Sequence, residues 1–334
     1  MDNRLLSLQD YEKNQLGSWT ITMTNTSSLW NEPENAQKAQ KVIVSLYQEL
    51  VEKLPGLLVL RAFIITSNVI EEYDRLLEGT GRRAKVDRPR DGMLAAKVLT
   101  WGECSNKDNY YGAIVIDERI CAAATFDDSS ECKALIVHEF THVAEGYFTS
   151  RFINNKKEDI YHNEWEKIVF SDATGLFSEY FAQLVSYPYY KEQSVLEEHI
   201  NYLITHLTSV NKFLNNEIAE YRYHADMNRL WPKVISELSR IFDQIGRSIG
   251  LLVCFNNEMY EPAWNCFINK IKQINPLWVP VINEFRDALT SFDITNLERT
   301  TFDPICNAIK SGYNAAGFIP ETLKDGTLYI HVPF

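Results

Sequence analysis

The chain has 334 residues, enough to bury a sizeable core as one large domain or two smaller ones. Apolar and charged fractions are those of an ordinary globular protein. A formal net charge of −12 argues against nucleic acid or an anionic membrane as the main partner, because both repel an acidic surface.

Residues 1–30 are polar and irregular, with Trp19–Met23 as a short strand. Glu32-Pro33-Glu34 opens a helix that runs to about Leu54, where Pro55-Gly56 stops it. Leu57–Ile65 is rich in branched and aromatic residues and predicts a strand, followed by a helix over Val69–Leu77. The segment 79–92 carries five basic residues and reads as a solvated loop, or else as an anchor for an acidic partner or a switch segment. Two strands follow, Leu94–Trp101 and Tyr111–Ile120, and the second leads within a few residues into the next helix.

That helix holds the most informative stretch of the chain. Asp128 reads as its N-cap, with Glu131 three residues on completing a capping box, and Gly146 as its end. His138 and His142 stand four residues apart, so both imidazoles fall on one face, one turn above the other. They can reach a single divalent ion, and Glu139 beside them can exchange a proton with a water there. This is the H-E-x-x-H pattern of zinc peptidases. The run from Cys132 to Val137 is apolar, so the helix is expected to be largely buried. A metal would satisfy polar groups that such burial otherwise leaves stranded.

A catalytic zinc takes three protein ligands and keeps one open position. Six residues after His142 stands Phe148, which excludes the metzincin arrangement. An acid on a following helix remains, with Asp172, Glu179, Glu164 and Glu166 as candidates and Glu145 as a local one. Glu179 is the best placed, within Phe177-Ser-Glu-Tyr-Phe-Ala-Gln183, where an unpaired carboxylate would be costly to bury. Ala182 permits a close helix approach, and Gln183 can orient a histidine.

The remaining chain reads as almost wholly helical. Helices are expected over 163–186, from Val195 to Tyr221, and from Val234 to Val253 after a break at Trp231-Pro232. Shorter ones fall near 263–273, 279–290 and 304–312, before a turn at Asp325-Gly326 and a strand over Thr327–Val332. The six cysteines (104, 121, 132, 254, 266 and 306) lack C-x-x-C spacing, which points to reduced thiols rather than a disulfide framework or a second zinc site. The opening Met-Asp-Asn-Arg-Leu-Leu-Ser shows no signal peptide, and the longest apolar run, near 249–255, is too short to span a bilayer. A cytoplasmic location follows as the expectation.

His-Glu-x-x-His at 138–142, followed by Glu179-x-x-Ala182 on a second helix, resembles the gluzincin branch of the zincin metallopeptidases. The resemblance covers about 34–186. It implies an α+β fold with a zincin-like mixed sheet and a metal-site helix, followed by a largely helical C-terminal region. It divides the chain into a zincin-like subdomain over 1–150 and a helical subdomain over 151–334 that supplies the third ligand. It also implies Zn2+ held by His138, His142 and Glu179, with Glu139 as general base in peptide-bond hydrolysis. Gln183 stands where the family carries Asp or Asn, and the interval from His142 to Glu179 is longer than in thermolysin-like enzymes. Asp172 therefore stays open as the third ligand.

Such peptidases also place a Tyr, His or Arg near the oxyanion. Tyr223 and His224, after a long helix and before Pro232, are the candidates, and an ordinary helix end is the plainer alternative. The expected partner is a peptide or protein substrate, paired along the strand Gly112–Ile120 as a sheet edge. Two other classes compete with a zinc peptidase. One is a zincin-like metal-binding sensor or scaffold without peptidase activity. The other is a metal-free interaction protein in which the helical half does the work.

Overall fold

The computed structural model describes residues 8–78, 95–102, 109–154, 163–190, 194–254, 257–292 and 298–332. In chain order the elements are α1 (Leu8–Tyr11), β1 (Thr20–Thr24), α2 (Pro33–Val51), β2 (Leu60–Thr66), α3 (Val69–Leu77), β3 (Ala96–Gly102), β4 (Tyr110–Asp117), α4 (Glu118–Phe126) and α5 (Ser130–Asn154). They continue as α6 (Glu164–Ser186), α7 (Ser194–His224), α8 (Met227–Leu252), α9 (Asn257–Ile274), α10 (Trp278–Thr290), α11 (Asp303–Ala315), β5 (Ile319–Thr322) and β6 (Leu328–His331). The chain is mixed α/β and mostly helical, with a small mixed sheet and a helical C-terminal region. It divides into two units, Met1–Asn155 with Pro188–Lys191, and Lys156–Tyr187 with Glu192–Phe334. No helix among the described residues is long and apolar enough to cross a membrane.

The first unit is built on a four-stranded sheet in the order β1-β2-β4-β3. β1, β2 and β4 run parallel, and β3 is antiparallel to β4. Parallel strands are covered on both faces, and β2 is buried along its whole length. Alternation along β2 separates two cores. Ala62 and Ile64 join Val69, Leu76 and Leu77 of α3 with Leu99 and Val115. Phe63 lies instead with Trp19, Tyr47 of α2 and Phe140 of α5. Arg61 is fully buried in this strand, where its guanidinium donates to the carbonyls of Leu58 and Leu60 and lies over the Tyr111 ring.

Several expectations are corrected here. The strand predicted over Tyr111–Ile120 ends at Asp117, because the Asp117 carboxylate accepts the backbone N–H of Arg119 and caps α4. The alanine-rich run that follows favours helix, so α4 intervenes before the histidine-bearing helix. β4 is also no sheet edge, since β2 flanks it on one side and β3 on the other. Among the described residues, β3 ends the sheet on that side. The leading 57–59 part of the predicted strand belongs to a 3-10 turn, Pro55–Val59. The basic segment 79–92 lies outside the described residues, as does Cys104. The other five cysteines are free thiols.

The second unit is organised by the packing of α6 on α8. Gly246 and Gly250, one turn apart on α8, bring the two backbones together. A Cβ at 246 would stand 2.3 Å from the Leu176 carbonyl oxygen, and one at 250 would stand 2.6 Å from that of Tyr180. Pro232 does not interrupt this unit, contrary to expectation: it lies inside α8. The break falls at Ala225, whose φ is +51°, and Asp226 then caps α8 by accepting the N–H of Arg229. The tail forms a hairpin, in which β5 pairs antiparallel with β6 across a turn containing Gly326 at φ +86°. The strand at 327–332 was expected and its partner β5 was not.

Candidate metal centre

α5 begins one residue later than its sequence suggests. Asp128 adopts φ +53°, a left-handed conformation that Asp tolerates better than most residues, and its carboxylate pairs with Lys133. Ser129 is the residue that caps, its hydroxyl accepting the N–H of Cys132. The expected Asp128–Glu131 capping box is thus replaced. The helix also passes through Gly146 to Asn154. Gly146 serves contact rather than termination: a Cβ there would meet Thr100 of β3 at 3.4 Å, and its carbonyl accepts the Tyr110 hydroxyl at 3.0 Å.

One side of α5 packs on the sheet. Val143 presses on Gly112 of β4, where a Cβ would lie 2.6 Å from its Cγ1, and Ala144 lies against Gly56. Ile136, Phe140 and Tyr147, at nearly the same angle around the helix, are buried as well. At about 100° per residue, His138 and His142 project from the opposite side. Their Nε2 atoms stand 3.0 Å apart, with the ring planes at 87°. At that distance one ring can donate to the other, and both nitrogens can equally converge on one cation. Thr141, buried between them in sequence, satisfies its hydroxyl by donating to the Val137 carbonyl.

The donor atoms of His138, His142 and Glu179 all lie within 4.8 Å of one another. This group can hold a metal ion. Two imidazole nitrogens and one carboxylate oxygen form one of the common donor sets of catalytic zinc. In a tetrahedral site with Zn–N of about 2.0–2.1 Å, two bound nitrogens lie roughly 3.3 Å apart, close to the spacing that α5 already imposes. The residues present therefore fit such an ion. Glu139 is buried at 8 % exposure beside His138 and is not a member of the group.

Glu179 owes its position to α6, whose start is capped by Asn163 accepting the N–H of Glu166. Tyr180, Phe181 and Ala182 are buried around it, and so is Gln183. Its Oε2 accepts Nε of Arg247 from α8 at 2.7 Å. Arg247 was not visible to sequence reasoning. The only hint is the Gly246-x-x-x-Gly250 spacing next to it, which signals close helix packing.

The other acids are placed differently. Asp172 is buried, but Ser239 donates to its Oδ1 at 2.6 Å and Tyr313 to its Oδ2 at 2.8 Å. Burial pushes its carboxyl up to about 6, against the lowering effect of those two hydrogen bonds. It is a core residue of the second unit and no member of the metal group. Glu164 is exposed, Glu166 faces Arg299 at 3.9 Å, and Glu145 is buried on α5 outside the group. Tyr223 and His224 end α7. Tyr223 is 89 % exposed, and His224 accepts the N–H of Asp226 through Nδ1, so neither joins the group. No protein-family model matches this chain, and no curated protein or solved structure does so either.

Proposed function

We propose that this protein is a zinc-dependent metallopeptidase. One observation supports the reading above the others: His138, His142 and Glu179 converge, with Glu139 buried at the adjoining position of the same helix. His138 and His142 would hold the ion through Nε2, and Glu179 through a carboxylate oxygen. When bound, zinc supplies a Lewis acid that polarises a carbonyl and makes water a nucleophile near neutral pH.

Glu139 is the group that moves protons. Its carboxylate takes one from the attacking water and returns it to the amine nitrogen as the peptide bond breaks. Its burial limits competing bulk water and strengthens the local field. A peptide or protein substrate would lie extended along β3, the sheet-edge strand on the side of β4.

The test pairs metal analysis with a cleavage assay on a pool of peptides, comparing wild type and Glu139→Gln. The variant keeps shape and polarity but removes the base. It is expected to retain zinc and to lose roughly two to four orders of magnitude in rate. Identical products at identical rates from both forms would refute the role of Glu139. Bound zinc with no cleavage by either form would favour a metal-binding sensor or scaffold.

A further inference from the structure

Resting on the zinc reading above, we infer that Arg247 is a positioning residue for the third ligand and holds the Glu179 carboxylate so that one oxygen alone faces the ion. The bond from Arg247 Nε to Glu179 Oε2, at 2.7 Å, joins two charged groups, and such bonds are about twice as strong as neutral ones. The Glu179 side chain is 16 % exposed and that of Arg247 33 %, so the pair is shielded enough to be directional. An outer partner that fixes a ligand's orientation commonly governs metal affinity.

The helix packing explains why this arginine reaches this glutamate. Gly246 and Gly250 seat α8 on the Leu176 and Tyr180 carbonyls of α6. Glu179 lies between those two contacts in sequence, and Arg247 follows the first glycine. The backbones approach this closely only because both positions lack a Cβ, since any larger residue at 246 or 250 would collide with the α6 carbonyls. The Arg247 guanidinium is therefore delivered to Glu179 by rigid elements rather than by a loop. With Oε2 held by Arg247, single-oxygen ligation by Glu179 beside His138 and His142 would give the three protein ligands that leave a position for water at zinc. Arg247 also keeps the carboxylate from swinging away when no ion is bound.

The test uses the full chain and cobalt as a spectroscopic probe in place of zinc. Affinity and the visible spectrum are measured for wild type, Arg247→Met, Arg247→Lys and Arg240→Met. The Met variant keeps the aliphatic packing and removes the donors, whereas Arg240, on the same helix and 3.6 Å from Glu237, controls for losing an ion pair on α8. Arg247→Met is expected to bind cobalt about 10- to 100-fold more weakly. Its absorption should weaken as two-oxygen binding by Glu179 raises the coordination number. Arg247→Lys should recover part of both losses, and Arg240→Met should match wild type. Wild-type affinity and spectrum in Arg247→Met, while Glu179→Ala loses the metal, would overturn the role of Arg247 and leave the zinc reading standing. Retention of metal by His138→Ala, His142→Ala and Glu179→Ala alike would overturn the zinc reading itself. If Arg247→Met does not fold, Arg247→Lys decides: weaker binding supports the inference, and wild-type affinity with a wild-type spectrum overturns it.

Discussion

Phe140 of α5 packs against Phe63 of β2, with ring centroids 5.6 Å apart and both rings fully buried. Tyr47 and Trp19 close around Phe140 at 6.0 and 6.3 Å. Phe140 stands two residues from each histidine of the pair, about 200° around the helix from either. Anchoring this ring to the sheet therefore turns both imidazoles to the far side. Phe140→Ala should cost about 3–5 kcal/mol through lost burial and the cavity left behind. Urea unfolding at fixed pH measures this, and Phe140→Leu should cost much less. A loss below about 1 kcal/mol in the Ala variant would mean that the aromatic cluster does not anchor α5.

The second prediction concerns metal and stability together. An ion bound only by the folded chain raises stability by an amount set by its concentration relative to Kd, about 4 kcal/mol at a thousandfold excess. Zinc should therefore raise the Tm of wild type, and a chelator should reverse the rise. His138→Ala and His142→Ala should show no zinc-dependent rise, because each removes one of three donors. An equal rise in both variants would place the metal elsewhere.

The parts of this arrangement that were legible in the sequence are those set by short-range pattern. His138 and His142 share a face because of helical geometry, whatever else the chain does. Glu179 was recognisable from its apolar surroundings, and α3 spans the predicted Val69–Leu77. The extent of α5 was misjudged because Gly146 resembles a helix terminator, and only the position of Thr100 shows that it is a contact. Asp117 looked like the interior of a strand, although its carboxylate in fact caps α4. Arg247 was beyond reach altogether. It lies 68 residues from Glu179, and their meeting depends on the α6–α8 register, which local pattern does not encode. The sequence favours Glu179 over Asp172 but leaves Asp172 open, for the same reason. Tyr313 and Ser239, which engage Asp172, come from distant helices.

Asp172 gives the last prediction, and its sign is opposite to that of most carboxylates. Burial raises its pKa to about 6, above the usual carboxylate range, although the Ser239 and Tyr313 hydroxyls favour the ionised form. The folded chain thus holds this proton more tightly than the unfolded chain. Stability from this group is fully present below the unfolded pKa of about 4 and is lost as pH rises through about 6. A shift of roughly two units corresponds to about 3 kcal/mol. Asp172→Asn cannot titrate, so its stability relative to wild type should improve by about that amount between pH 4 and pH 7. Taking the difference between the two proteins cancels contributions from other titrating groups and from any bound metal. Urea midpoints at several pH values in this window measure it. Tyr313→Phe, which removes one hydrogen bond to the ionised form, should move the window to higher pH. A difference between wild type and Asp172→Asn that stays flat across the window would show that Asp172 ionises as it does in the unfolded chain.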